Sequence, residues 1–308
     1  MKNYYRLMLG RKSVYADECF QGNYIGVGFM GNIDFTNHLP DNWRAFNEKF
    51  IPEYLKEYPD KKKVTAGLAC ATVWMLAKGI LKGDIILCPN GKGSYMVAEV
   101  LDDYTYHINT NMPHRRTVKW YDALIERSSM SESLKNSTGA IATYCSITRF
   151  ADEIETLIAG KRPPALISTD ASVEDPSYFA LEKHLEDFLV ENWSQSELGK
   201  QYDIYEEEGE LVGQQYPSDT GPIDILAISK DKKSLLVVEL KKGKASDNVV
   251  GQIQRYMGYV KEELAELNQT VRGVIIASDD DLRIKRALSV TNNIDFYRYE
   301  VSFKLKKQ

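Results

Sequence analysis

The segment from Gly221 to Lys244, GPIDILAISKDKKSLLVVELKKGK, restricts the fold of this chain more than any other stretch. Two strands, Ile223 to Ser229 and Leu235 to Leu240, flank a polar turn at Lys230 to Lys233, which is the pattern of a β-hairpin. With the turn centred near Asp231 and Lys232, Asp224 falls opposite Glu239 or Leu240, within one residue of register. Side chains alternate along a strand, so Glu239 and Lys241 project from one face and Leu240 from the other. Three ionisable groups are thereby expected on one patch.

Carboxylates held close together repel and raise one another's pKa unless a cation sits between them. Mg2+ or Mn2+ suits such a patch, because hard divalent ions take oxygen ligands, hold phosphates and lower the pKa of bound water. Lys241 can then orient or deprotonate an attacking water, or neutralise charge that develops in the transition state. The same residues also fit a plainer pattern, an exposed hairpin decorated with charges.

The flanking sequence adds candidates. On a helix expected from Tyr178 to Asn192, Leu181, Leu185, Phe188 and Leu189 make an apolar stripe, and Glu182 and Glu186, four residues apart, share the face beside it. One of these glutamates is a further candidate metal ligand, and one that points outward is merely solvated. A later helix, Asp247 to Leu267, buries Val249, Val250, Ile253, Met257 and Val260, with Gln252 and Tyr256 together on the neighbouring face. An amide and a phenol there can bind water or phosphate; as a plain pair they are boundary residues.

The sequence LEKHLEDFLVENW, QQYPSDTGPIDILA, LLVVELKKGKASDNVVGQIQRYMGYVKEEL and VRGVIIA, in unbroken order over about 178 to 278, resembles the catalytic domain of the NucS/EndoMS endonucleases. The resemblance implies a restriction-endonuclease-like α/β domain of PD-(D/E)xK type with a central mixed sheet, cleaving DNA phosphodiesters with Mg2+ or Mn2+. It places the motif on Asp224, Glu239 and Lys241, the helix glutamate on Glu182 or Glu186, and the QxxxY pair on Gln252 and Tyr256.

At 308 residues and 43% hydrophobic, the chain is long enough for two cores. The break Gly160-Lys161-Arg162-Pro163-Pro164 and the turn-rich stretch after it give the boundaries: residues 1–159, a linker at 160–176, and a nuclease-like domain at 177–308. The first half reads as strands at Tyr4 to Leu9, Tyr24 to Phe29, Asp84 to Pro89, Tyr95 to Leu101 and Thr117 to Tyr121, with helices at Trp43 to Tyr54 and Ala66 to Leu76. That is a small α+β domain or curved barrel. The second half reads α-β-β-α-β, closed by a charged helix, Asp280 to Ala287, and a strand near Phe296 to Val301.

NYIGVGF, LKGDIILCPNGKGSYMVAEVLDDY and HRRTVKW look similar to EVE-like modules of the PUA superfamily, over about 4 to 125. The resemblance implies an aromatic pocket for a modified or flipped base. Phe29, Trp74 and Trp120 are the candidate walls, and Arg115, Arg116 and Lys119 the candidate phosphate contacts. Core packing and a solvated basic strand end are the alternatives, and His114 reads as a turn residue.

The net charge of −5 is not that of a simple nucleic-acid coat, but it suits a nuclease whose basic contacts are confined to one groove. Four scattered cysteines suggest neither zinc nor disulfides. No apolar run spans a membrane and the first residues are unlike a signal peptide, so a soluble cytoplasmic protein is expected. The leading reading is a metal-dependent restriction or defence endonuclease acting on DNA, with a modified base as one target and a homodimer as the route to double-strand cuts. An RNA-cleaving nuclease or toxin and a non-catalytic reader are the alternatives.

Overall fold

Strands buried on both faces and close helix packing build this fold, here in a computed structural model that describes residues 2–40, 42–139, 143–160, 185–207 and 210–299. Contacts divide the chain into two units, Met1–Ile167 and Ser168–Gln308. The expected linker beyond Gly160, Leu181, Glu182 and the end of the last expected strand lie outside the described residues.

In the first unit, β1 (Tyr4–Leu7), β2 (Tyr24–Val27), β3 (Ile85–Pro89), β4 (Ser94–Tyr106), β5 (His114–Glu126) and β6 (Tyr144–Ser146) form one sheet in the order β2-β5-β4-β3-β1-β6. β1 runs parallel to β3, and the remaining pairs are antiparallel. Both faces are covered, which explains the unbroken apolar run of β3. Ile85 and Leu87 join Tyr4, Tyr95, Val97 and Ile125 on one side, while Ile86 and Cys88 join Leu7, Met96, Ala98 and Val100 on the other. The expected barrel is corrected to an open sheet: its outermost strands, β2 and β6, do not pair with each other among the described residues. Closure needs every strand edge hydrogen-bonded, and a three-residue β6 ends this sheet instead.

Helices α2 (Trp43–Glu57) and α3 (Lys63–Trp74) pack against each other and onto this sheet. Asn42 caps α2 by accepting the N–H of Ala45 at 2.9 Å. The helix expected through Leu76 passes at Met75–Gly79 into a wider π turn. Helices α1 (Ala16–Gln21), α4 (Glu132–Thr138) and α5 (Ala151–Ile158) complete the unit.

The second unit holds a six-stranded mixed sheet. Its strands are β7 (Tyr202–Ile204), β8 (Gln214–Tyr216), β9 (Ile223–Ser229), β10 (Ser234–Lys244), β11 (Thr270–Asp279) and β12 (Ile294–Arg298). The order is β12-β11-β10-β9-β7, with β8 also paired to β9. β10, β11 and β12 are parallel neighbours, while β9 runs antiparallel to β10, β7 and β8. Helix α6 spans 185–191 among the described residues, followed by α7 (Asn248–Tyr259) and α8 (Leu282–Leu288), the latter capped by Asp281. β7 and β8 are additions to the expected α-β-β-α-β order; three residues are too few to show alternation.

The apolar stripe of α7 is buried as expected at Val249, Val250, Ile253 and Met257, and Val260 follows in the π turn after it. Close approach of α7 to β11 depends on Gly273, where a Cβ would stand 2.6 Å from Met257 Sδ and 3.0 Å from Ile253 Cδ1. The stripe on α6 differs from expectation. Leu185 and Leu189 are half-buried, Phe188 is 65% exposed and Glu186 is buried at 5%, because two glutamine amides receive its carboxylate. No helix among the described residues is long and apolar enough to cross a membrane.

Candidate active site

The hairpin β9–β10 sets the site. Its turn is pinned by Lys232 in the left-handed region (φ 62°), by Asp231 accepting the N–H of Lys233 at 3.0 Å, and by Ser229 accepting that of Ser234 at 2.9 Å. The ladder runs from Leu235 opposite Ile228 to Val238 opposite Ile225, and that register carries Asp224 to Glu239. There the Asp224 side chain takes over: its Oδ2 accepts the backbone N–H of Leu240 at 2.8 Å. Glu239 is buried at 2%, and its Oε1 accepts from Lys241 Nζ at 2.7 Å, while Leu240 packs in the apolar cluster with Ile225 and Val238 on the other face. A β-bulge follows at once, where the pairing of β10 with β11 shifts between Lys241 and Lys244.

Two further elements close in. From α6, Glu186 accepts from Gln214 Nε2 on Oε1 and from Gln215 Nε2 on Oε2, both at 2.7 Å. Gln215 Nε2 also reaches Asp224 Oδ1 at 3.2 Å. From α7, Gln252 Nε2 donates to the Tyr256 hydroxyl at 3.3 Å. Gly221, at φ +127°, makes room for that hydroxyl, since a Cβ would lie 3.2 Å from it. Tyr256 is thus a buried residue facing the site, rather than one at the boundary.

The electrostatics agree with this convergence. Burial, then the charges of Glu239 and Glu186, push the Asp224 carboxyl well above the usual carboxylate range, against the Leu240 N–H and Lys241, which pull it down. Burial raises the Tyr256 phenol; the Gln252 bond and Lys241 lower it, while Glu239 and Asp224 raise it. Asp224 and Glu239 are oxygen donors of the kind that hard cations take, and their repulsion is what a cation would relieve. Among the described residues no three His, Cys, Asp or Glu side chains already form a group that could hold an ion.

The structure therefore brings Asp224, Glu239, Lys241, Glu186, Gln252 and Tyr256 into one region; Glu182 lies outside the described residues. Gln214, Gln215 and Gly221 have no role in the sequence reading. Their one local signal is a polar pair ahead of a glycine turn, which many loops share.

The N-terminal candidates are not gathered in this way. Trp74 is buried against Phe46 and Trp120 packs on Phe20, while Phe29 is half-buried on the core. Among the ring pairs of the described residues none joins any two of Phe29, Trp74 and Trp120. The Trp120 indole nitrogen is buried without an acceptor. Arg116 is corrected from a phosphate contact to a structural one: its guanidinium is buried and donates to the carbonyls of Leu76 (2.5 Å), Ala77 (2.8 Å) and Asp102 (3.0 Å). It thereby satisfies the end of the π turn. Arg115 is likewise engaged, donating to Met112 O at 2.6 Å with its guanidinium 3.8 Å from the Tyr24 ring centre. Lys119 is exposed. His114 is not a turn residue but opens β5, fully buried, with Tyr104 OH at 2.7 Å from Nδ1 and Met30 O at 3.1 Å from Nε2.

Comparison with known proteins agrees with the second unit and leaves the first without an assigned role. Residues 5–147 match a domain of unknown function (DUF8426), so the N-terminal half is not confirmed as an EVE-like module. Residues 182–307 match the Endonuclease NucS C-terminal domain. Endonuclease NucS of Sulfolobus acidocaldarius is 28% identical over 140 residues, 44% of this chain and 49% of that protein. That of Methanocaldococcus jannaschii is 30% identical over 96 residues, 31% of this chain and 35% of that protein. The chain thus spans about half the length, or less, of the curated relatives it matches. Among solved structures, a repair endonuclease from Pyrococcus abyssi gives a TM-score of 0.31 at 18% identity, covering 69% of this chain and 66% of that one. An EndoMS complex with double-stranded DNA gives 0.32 at 14%, covering 71% and 66%. By the family match across residues 182–307, the C-terminal half of this chain is NucS-like.

Proposed function

We propose that this chain is a metal-dependent endodeoxyribonuclease whose C-terminal unit cuts and whose N-terminal unit selects the DNA. The observation that carries this reading is the meeting of Asp224, Glu239 and Lys241 at the end of one hairpin, beside Glu186 of α6. Asp224 and Glu239 are the residues that would hold Mg2+ or Mn2+, which supplies charge neutralisation at the phosphate and a more acidic water. Lys241, held by Glu239 at 2.7 Å, presents an ammonium to the attacking water and to the negative charge that develops on phosphorus-bound oxygen. Gln252 and Tyr256 offer an amide and a phenol as hydrogen-bond partners for water or phosphate.

Support for substrate selection by the first unit is narrower. It rests on exposed Lys119 and on the buried Trp120 indole N–H, which lacks an acceptor and suits a polar ligand edge. A defence role against modified DNA is the version of this reading we put to test. One site cuts one strand, so double-strand cleavage calls for a homodimer.

Matched unmodified DNA, cytosine-modified DNA and RNA of one sequence are incubated with Mg2+, Mn2+ or EDTA, using wild type and Glu239→Ala. Metal-dependent cutting of DNA that Glu239→Ala lacks is expected. Cutting of RNA alone, or equal cutting by both proteins, overturns the reading. Preference for the modified duplex tests the selector role, and light scattering of the DNA-bound protein tests the dimer.

A further inference from the structure

The strand β8 contains an irregularity with a chemical consequence. Gln214 pairs with Ile225 and Tyr216 with Ile223, which places Gln215 across from Asp224. In a regular strand Gln214 and Gln215 would point to opposite faces. Gln215 instead sits at φ 52°, in the left-handed region that side chains bearing a Cβ rarely adopt. Both amides consequently converge on one carboxylate: Gln214 Nε2 on Glu186 Oε1 and Gln215 Nε2 on Glu186 Oε2, each at 2.7 Å. Gln214 Nε2 also lies 3.3 Å from Asp187 Oδ1, and Gln215 Nε2 lies 3.2 Å from Asp224 Oδ1. One amide thus bridges a carboxylate on α6 and a carboxylate on β9, the same two groups whose charges repel each other.

Resting on the site reading given above, we infer that Gln215 is a positioning residue. Its amide draws Glu186 in from α6 and fixes it beside Asp224, so that the helix glutamate and the strand aspartate can serve one cation. Gln214 orients Glu186 from behind by occupying its other oxygen. The geometry also selects among acidic residues of α6: Glu186 is buried and takes both amides at 2.7 Å, whereas Asp187 is only half-buried and lies 3.3 Å from Gln214 Nε2. Unfavourable backbone geometry at a bridging residue is the kind of local strain found where a side chain must be aimed.

The experiment uses the full chain as wild type, Gln215→Leu, Gln215→Gly and Asp224→Ala. Leu keeps bulk without a donor, and Gly keeps the left-handed turn without an amide, which guards against simple misfolding. Binding of Mn2+ alone is measured by calorimetry without DNA, thermal unfolding in EDTA, and kcat and KM on a DNA duplex. The expected result is Mn2+ affinity lower by about 10- to 100-fold in both Gln215 variants. Their kcat should fall with KM for DNA unchanged, and Gln215→Gly should melt near wild type. Wild-type Mn2+ affinity in both Gln215 variants, with Asp224→Ala defective, overturns the role of Gln215 and leaves the site standing. Wild-type Mn2+ affinity in Asp224→Ala overturns the site itself.

Discussion

Asp224 Oδ2 accepts the backbone N–H of Leu240 at 2.8 Å, so the carboxylate of one strand replaces a main-chain partner on the next. That bond fixes Asp224 beside the buried Glu239, at an electrostatic cost. Because the folded pKa of Asp224 lies above the unfolded value of 3.8, the native state holds the proton more tightly. Its favourable contribution is present at low pH and is lost as pH rises from the ordinary carboxylate range through the raised folded value. Asp224→Asn should therefore abolish cleavage yet unfold at a higher temperature than wild type near neutral pH in EDTA. Its stability should also fall less with pH. Urea titrations at several pH values check this; parallel pH profiles for the two proteins would sink it.

Gly221→Ala should damage the site from outside the carboxylates. The new Cβ must adopt φ +127° and meet the Tyr256 hydroxyl at 3.2 Å. A loss of about 1–3 kcal/mol in stability is expected. Adding Tyr256→Phe removes the hydroxyl and should recover part of it. A double variant no more stable than Gly221→Ala alone would show that backbone strain, and not the phenol, carries the effect.

His114 gives the first unit an acid-sensitive point. Burial chiefly, against hydrogen bonding to Met30 and Phe29, lowers its pKa from 6.5 to about 4. Between those values the unfolded chain binds more protons, so stability held above pH 6.5 is lost on acidification, to about 3 kcal/mol near pH 4. His114→Gln should be less stable at pH 7 but flatter across that window. Denaturation followed by tryptophan fluorescence at pH 7, 5.5 and 4 measures it, and an unchanged slope in the variant would count against His114.

Arg116 and Lys119 should part company despite their proximity in sequence. Arg116→Ala leaves three carbonyls, two of them in buried contacts, without their donor, and should cost about 2–4 kcal/mol in stability. Lys119→Ala should leave melting unchanged and, if Lys119 meets a phosphate, reduce the salt dependence of DNA affinity by about one unit of slope. Equal melting of Arg116→Ala and wild type would refute the structural role of Arg116.

Several of these relationships were readable in the chain itself. Alternation placed Glu239 and Lys241 on one face, and the four-residue turn put Asp224 at Glu239 or Leu240, of which the ladder takes Glu239. The helical period gave the buried stripe of α7 and set Gln252 one turn from Tyr256. Misreadings fell where burial reversed a residue's ordinary habit. Arg116 reads as a surface cation, yet it is committed to carbonyls 39 and 40 positions away. For Glu182 and Glu186 the sequence left open which one points inward, and Glu186 is 5% exposed.

The sequence by itself determined strand faces, the hairpin register to within one residue and the stripe of α7, because each follows from residues a few positions apart and from the geometry of one element. Only the tertiary structure decided that the first sheet stays open, that Glu186 turns inward, and that Gln215 bridges it to Asp224. Those outcomes depend on which elements pack together. The glutamine that receives Glu186 lies 29 residues along the chain, and no local period connects them.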